Sequence, residues 1–271
     1  MVETAQLEQR LIHAIQPRVS LLTAYSGGVD STLVAVAARR ALGRANAPAA
    51  IGDTASLPRR ELDDARHLAR AQDIELIEIH PAEQTDARYQ ANATDRCYFC
   101  KTHLYRALHA LAAERGISYI ANGTNADDPA DHRPGLIAAD EARVVSPLLE
   151  AGLTKADVRT LAHHWHLPNA DKPAAACLAS RIPYGTRVTT ERLSRVEQAE
   201  DVLHELGFVG FRVRHHEHVA RLEIPPQQWP RLLDEATREQ VLRRLRTLGY
   251  TYIALDIAGF RSGSANEATH Q

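Results

Sequence analysis

The chain has 271 residues, 44% of them hydrophobic and 24% charged, an ordinary composition with material for one large domain or two modest ones. Lys and Arg number 32 against 34 Asp and Glu, a formal net charge of -2, which argues against a protein built mainly to hold nucleic acid. No apolar run is long enough to cross a bilayer, the first eight residues are polar and acidic, and three cysteines are too few for a disulfide framework, so a cytoplasmic chain with reduced thiols and no membrane or nucleic-acid partner is expected.

In chain order, a helical apolar rhythm over 3–15 (Leu7, Leu11, Ile12, Ile15) ends at Pro17. A buried strand over 19–25 follows, then the turn Ser26-Gly27-Gly28-Val29-Asp30-Ser31 and a helix over 32–42. Weaker strand patterning at 47–51, a helix at 59–72, a strand at 74–79, a helix at 100–115, a strand at 118–121 and a helix at 154–164 continue the alternation. Strands alternating with helices predict βαβ units and a parallel sheet. The pattern then changes to a helix at 194–206, strands at 211–215 and 219–224, a helix at 238–248 and a strand at 252–255. The expected architecture is α/β, a parallel-sheet domain over 1–175 followed by a smaller α+β domain over 176–271. The polar end at 264–271 reads as frayed.

The turn at 26–31 sits between a predicted strand and a predicted helix. Glycines let the backbone approach an anion and turn sharply, and the N–H groups of the following helix hold phosphate. Ser26 and Ser31 add hydroxyl donors around Gly27 and Gly28, while Asp30 requires an intervening cation, for which magnesium is the candidate. The string is similar to the PP-loop signature of enzymes that cleave ATP between its α- and β-phosphates, and it lacks the Gly-Lys-Ser/Thr ending of a Walker A loop.

Cys97-Tyr98-Phe99-Cys100 is a C-x-x-C pair placed just before a predicted helix, and Cys177 stands in Ala176-Cys177-Leu178-Ala179-Ser180-Arg181. Zinc completed by His103, a redox pair, an iron–sulfur site and three small buried thiols all remain open on spacing alone. Three thiolates suit a 4Fe–4S cluster with one iron left open. The 14 histidines, including the pairs His163-His164 and His215-His216, are expected at the surface rather than on a metal.

Taken together, the PP-loop string, Cys97-Tyr98-Phe99-Cys100-Lys101, Gly123-Thr124-Asn125, Asp131-His132-Arg133-Pro134-Gly135, Cys177 through Gly185, Arg212-Val213-Arg214 and Gly259-Phe260-Arg261-Ser262-Gly263 resemble the LarE-type ATP-dependent sulfur transferases over nearly the whole chain. The resemblance implies a PP-loop domain with a small C-terminal domain that associates into a homo-oligomer. It implies ATP and Mg2+ as reactants, and adenylation of a carboxylate of pyridinium-3,5-biscarboxylic acid mononucleotide, with sulfur replacing AMP. Sacrificial members place a single cysteine at the position of Ala176 and lack the C-x-x-C; the three-cysteine pattern here instead resembles cluster-dependent thiolases.

The resemblance places Ser26, Gly27, Gly28, Asp30, Ser31 and Gly123 at ATP, with Asp30 on magnesium. It places Cys97, Cys100 and Cys177 on the cluster, with Ser180 and Arg181 beside Cys177. Arg212 and Arg214 alternate along a strand, so both side chains share a face, suited to a phosphate or carboxylate, and the resemblance implies that this is the site for the substrate's nucleotide phosphate. Glu200 and Glu223 match acidic positions near the family's site, and Arg261 is a further candidate anion contact. A tRNA thiolase would use the same ATP chemistry on a base, which the near-neutral charge disfavours, and an amidating synthetase would need none of the cysteines.

Overall fold

A computed structural model describes residues 2–128, 134–173 and 176–261. The elements in order are α1 (Val2–Ile15), β1 (Leu21–Ala24), α2 (Val29–Leu42), β2 (Ala49–Gly52), α3 (Arg59–Ala71), β3 (Leu76–Ile79), α4 (Ala87–Gln90), α5 (Arg96–Arg115), β4 (Tyr119–Ala121), α6 (Pro134–Glu141), α7 (Pro147–Glu150), α8 (Lys155–His164), α9 (Thr190–Glu205), β5 (Arg212–His216), β6 (Val219–Glu223), α10 (Trp229–Leu233), α11 (Glu235–Thr247) and β7 (Tyr252–Leu255). The chain divides into two compact units, Met1–Glu83 with Cys97–Ala175, and Gln84–Arg96 with Ala176–Gln271. Residues 84–96 thus group with the second unit.

The first unit holds a four-stranded parallel sheet in the order β3-β2-β1-β4. Leu21, Leu22 and Thr23 of β1 are fully buried, as a central strand covered on both faces must be. The helix α2 is apolar on nearly every side, with Val29 and every residue from Ser31 to Ala38 buried, because it lies in the core rather than on it. By contrast α3 buries one stripe, Leu62, Ala65, Leu68 and Ala69, under a charged outer face. The chain steps from β1 outward to β2 and β3, then returns past β1 to β4. Loops leaving the carboxyl ends of β1 and β4 therefore diverge, and such a switch point is where open α/β sheets bind ligands.

The second unit pairs β5 and β6 antiparallel through a tight turn at Glu217 and His218, with Glu217 at φ 51, and adds β7 parallel to β6. Its core packs α9 and α11 against this sheet through Leu203, Phe211, Val213, Leu222, Val241 and Leu245.

The expected α/β first domain and smaller α+β second one are both present. Two local expectations are corrected. The C-x-x-C lies inside the first turns of α5, not before it, so Cys97 and Cys100 sit three apart on one helical face. The histidines are not all superficial: His215 is 0% exposed, because its strand position faces the core.

The buried imidazole has a measurable consequence. Its Nδ1 lies 3.1 Å from the Tyr250 hydroxyl, and Nε2 has no partner among the described residues. Burial pushes the His215 pKa down to about 4 from 6.5. The unfolded chain therefore binds the extra proton first as pH falls, and stability present above pH 6.5 drains away between 6.5 and about 4. The shift corresponds to about 3 kcal/mol at most. Urea unfolding at pH 7 and pH 4.5 should show a smaller acid loss for His215→Phe than for the parent; parallel losses would rule out this source.

Candidate active site

The Ser26–Ser31 loop leaves the carboxyl end of β1 and is held by its own side chains. Ser31 Oγ donates to the Gly28 carbonyl at 3.1 Å and accepts from the Ser26 amide at 3.2 Å, and the two serine hydroxyls lie 3.1 Å apart. Gly27 sits at φ +71, and a Cβ there would stand 3.0 Å from Ala65 Cβ, so both conformation and space demand glycine. Gly28 caps α2 without a side-chain bond, leaving the helix's first N–H groups for an anion. From behind, Asn169 Nδ2 donates to the Gly27 carbonyl and to Thr32 Oγ1, each at 3.0 Å. Thr32 in turn donates to Tyr25, whose phenol burial pushes up to about 12.

The loop after β4 meets the same helix terminus. A Cβ on Gly123 would lie 2.7 Å from the Ser31 amide nitrogen, closer than real contacts allow. Asn125 Nδ2 donates to Asp30 Oδ1 at 3.1 Å, and Lys155 Nζ pairs with Asp30 Oδ2. Asp30, Ser31 and Gly123 border a cavity of about 450 Å³, a size that fits a small ligand. The carboxyl ends of β1 and β2 supply Tyr25, Ile51 and Gly52 to its wall, and α5 supplies Cys100, Lys101, Leu104 and Tyr105. Buried Glu83 lines it too. Of the expected nucleotide residues, Ser26, Gly28, Asp30, Ser31 and Gly123 line this one cavity, and Gly27 shapes the loop from its other face.

In the second unit, Cys177 is exposed at the start of a short 3-10 turn, Leu178–Arg181. The turn is tied down through its carbonyls and those just before it. Ser180 Oγ donates to Cys177 O at 2.8 Å, and Arg181 Nη1 donates to Ala176 O at 2.6 Å and Cys177 O at 3.0 Å. Glu200 accepts from Arg181 Nε and Nη2 at 3.0 and 3.1 Å, and also from the Val213 amide. Arg214 donates to Ser180 O at 2.7 Å while Glu223 grips it at 2.9 Å through both oxygens. All four charged side chains are at least nine-tenths buried as residues. Asn92 and Arg96 complete the frame: Asn92 Nδ2 donates to the carbonyls of Ile182, Pro183 and Thr186, and Arg96 Nη1 donates to Ala179 O at 2.9 Å.

This geometry divides the expected substrate residues. Arg214, Glu200 and Glu223 are engaged in positioning the Cys177 turn, and Arg181 holds its carbonyls. Arg212 differs: it is half-buried, 5.0 Å from the Phe260 ring, and forms no ion pair among the described residues. Burial and the neighbouring Arg181 and Arg214 charges press its pKa down. Arg261 is exposed at the end of the described chain. Asp131, His132, Arg133, Ser262 and Gly263, which belong to the motifs above, lie outside the described residues.

None of the three cysteines is in a disulfide; Cys97 and Cys177 are exposed and Cys100 is half-buried. Among the described residues of each unit, no three His, Cys, Asp or Glu side chains are gathered to hold a metal ion. No helix among them is long and apolar enough to cross a membrane.

Residue-type reasoning missed Lys155, Asn92, Arg96 and Glu83. One signal was available for Lys155. It is the first residue of a helix opened by the capping box of Thr154 and Asp157, where a cation opposes the helix dipole.

Comparison with known proteins gives these sites a context. The NAD synthase family model matches residues 7–118. An uncharacterised protein of Synechocystis sp. is 41% identical over 90% of this chain and 91% of its own. The pyridinium-3,5-bisthiocarboxylic acid mononucleotide synthase of Lactiplantibacillus plantarum is 36% identical over 98% of this chain and 96% of its own. A tRNA-specific 2-thiouridylase of Xanthobacter autotrophicus is 30% identical over 72% of this chain but only 59% of its own length.

Proposed function

We propose that this chain, which belongs to the family of the pyridinium-3,5-bisthiocarboxylic acid mononucleotide synthases and is an ATP-using PP-loop sulfur transferase, adenylates a carboxylate of pyridinium-3,5-biscarboxylic acid mononucleotide and replaces the AMP with sulfur. The observation that carries the reading is the shared cavity: the anion-binding loop at 26–31 and the thiol-bearing residue Cys100 line the same space. A machine for phosphate alone has no use for a cysteine there.

The chemistry follows from the parts. The free N–H groups at the start of α2 and the serine hydroxyls hold the ATP phosphates, and Asp30 holds the magnesium that accompanies them. A substrate carboxylate oxygen attacks the α-phosphorus, the bond to the β-phosphate oxygen breaks, and pyrophosphate leaves with the electron pair. A sulfur nucleophile then adds to the activated carbonyl carbon and AMP departs, leaving a thiocarboxylate. Arg212 is assigned to the substrate's phosphate, across the strand from Glu223 of the buried Arg214–Glu223 pair, and Arg261 is a further candidate contact.

Three cysteines outside any disulfide, two of them on one helical face, are the kind of donor set that a 4Fe–4S cluster takes. Cys97, Cys100 and Cys177 would hold it, and when bound it would supply the sulfur. The chain's own contribution is to fix the Cys177 turn, which Ser180 and Arg181 do through its carbonyls. The assembly proposed is a homo-oligomer, on the family resemblance alone.

The decisive assay incubates the protein anaerobically with ATP, Mg2+ and the dicarboxylate nucleotide. AMP and pyrophosphate should appear together, with a product whose mass shows sulfur in place of oxygen. Release of ADP and phosphate instead would end the reading.

A further inference from the structure

The second unit gathers Arg181, Arg212, Arg214 and Arg221 about the β5–β6 hairpin, and three of the four are matched with acids. Arg181 lies 3.0 Å from Glu200, Arg214 lies 2.9 Å from Glu223, and Arg221 lies 3.1 Å from Asp256 and 3.2 Å from Glu223. Arg212 is the exception. Glu223 stands directly opposite it across the hairpin, yet gives its oxygens to Arg214 and Arg221. What Arg212 meets instead is the ring of Phe260, 5.0 Å from the guanidinium carbon. We propose that Phe260 is the positioning residue for Arg212: its ring holds the guanidinium in place and leaves the charge whole for the phosphate of the substrate. This rests on the reading above that puts the substrate's phosphate at Arg212.

The chemistry of the neighbour decides what an arginine can do. A carboxylate beside Arg212 would take its N–H fork bidentately and compete with the anion of a ligand. An aromatic ring attracts a guanidinium over its face but carries no formal charge, so it restrains the group and neutralises nothing. Restraint is needed here. Arg212 is half-buried with the Arg181 and Arg214 charges close by, and both circumstances favour a swing toward water. The other tie on the side chain is a bond from Nη1 to the Phe211 carbonyl at 2.7 Å, which uses one donor of five.

The backbone that carries Phe260 is fixed just ahead of it. The Asp256 amide donates to the Leu222 carbonyl at 2.9 Å, and Asp256 Oδ2 accepts from Arg221 Nη1 at 3.1 Å. Asp256 also closes a turn: its Oδ1 accepts from the Ala258 amide and its carbonyl from the Gly259 amide, each at 2.9 Å. Gly259 stands at φ +69, and a Cβ there would lie 3.1 Å from Pro226 Cδ and 3.2 Å from the Ile224 carbonyl oxygen, so conformation and space both demand glycine. A turn pinned at 256, 258 and 259 delivers residue 260 to one place, and Arg212 is what stands there. The Asp256–Arg221–Glu223–Arg214 contacts tie the same turn to the Ser180 carbonyl, so the ring over Arg212 and the seat of Cys177 share one frame.

The test compares the parent with Phe260→Leu, Phe260→Tyr, Gly259→Ala and Arg212→Met. Calorimetry gives the affinity of each for pyridinium-3,5-biscarboxylic acid mononucleotide and for its dephosphorylated riboside, and pyrophosphate release gives kcat and KM. Phe260→Leu should weaken nucleotide affinity and raise KM roughly 3–10-fold, with kcat and riboside affinity unchanged. Phe260→Tyr, which keeps the ring, should match the parent. Gly259→Ala, which alters neither the ring nor the arginine, should weaken the nucleotide as Phe260→Leu does. Equal losses for nucleotide and riboside in Phe260→Leu would overturn the proposal, since the ring would then act on the rest of the ligand or on the fold. So would an unchanged nucleotide affinity in Phe260→Leu, or a Phe260→Tyr chain as weak as Phe260→Leu. Arg212→Met separates this failure from that of the reading beneath it. If it leaves nucleotide affinity unchanged, the phosphate is not at Arg212 and both fall; if it weakens the nucleotide and Phe260→Leu does not, the role of Phe260 alone is refuted. A parent that releases no pyrophosphate would defeat the ATP-cleaving reading, while the affinities still decide the role of Phe260.

Discussion

A Glu223→Ala chain will lose about 3–5 kcal/mol of stability in its second unit. Glu223 is 1% exposed and accepts from Arg214 Nε and Nη2 at 2.9 Å each and from Arg221 Nη2 at 3.2 Å. Truncation leaves the buried Arg214 guanidinium uncompensated, with the Arg181 and Arg212 charges near it. Desolvation of an ion is affordable only while its partner is present, so removal of one member costs far more than the pair contributes. The damage should reach the chemistry, because Arg214 also holds the Ser180 carbonyl. Urea unfolding would give the energy, and the alkylation rate of Cys177 would report the loosened turn. Removing both charges as Arg214→Met with Glu223→Leu should cost much less than the sum of the single changes. A loss below about 1 kcal/mol for Glu223→Ala would place this pair with ordinary surface bridges and refute the clamp.

What the sequence disclosed and what it withheld divide along the range of the interactions. The loop at 26–31 was legible because strand, glycines and helix are contiguous, and its chemistry depends on backbone N–H groups that any such turn presents. Period-two alternation correctly put Arg212 and Arg214 on one face of β5. It could not say that Arg214 is captured by Glu223, because that contact is a diagonal one across the β5–β6 hairpin and depends on register. The same limit hid the burial of His215, whose polar type concealed a core-facing position. Residues 84–96 carry no composition that marks them as part of the second unit; the bonds of Gln90, Asn92 and Arg96 to the 179–188 segment reveal it. Lys155 meets Asp30 across more than a hundred residues, and no local pattern encodes such a pairing.

The largest chemical effect is expected at the cysteines. Anaerobic reconstitution with iron and sulfide should load the parent with about four irons and four sulfides, and absorption near 400 nm should accompany them. The variant in which Cys97, Cys100 and Cys177 are all alanine should take up none above background. The argument is one of placement as well as count. Cys97 and Cys100 lie on consecutive turns of one face of α5, with Cys100 at the nucleotide cavity. Cys177 stands exposed on a turn whose carbonyls are fixed by two buried arginines. A thiol meant to be destroyed once per turnover needs no such company, whereas a ligand retained through many cycles needs a rigid seat. Cys177→Ala alone should abolish thiocarboxylate formation completely while pyrophosphate release survives and the AMP stays on the activated carboxylate, since Asp30 and the loop serines are untouched. If iron uptake in the parent matches the triple variant, the cluster is excluded. Cys177 is then left as a sacrificial or a persulfide-bearing thiol, and the mass of the used enzyme decides: a loss of hydrogen sulfide at that residue marks the sacrificial one.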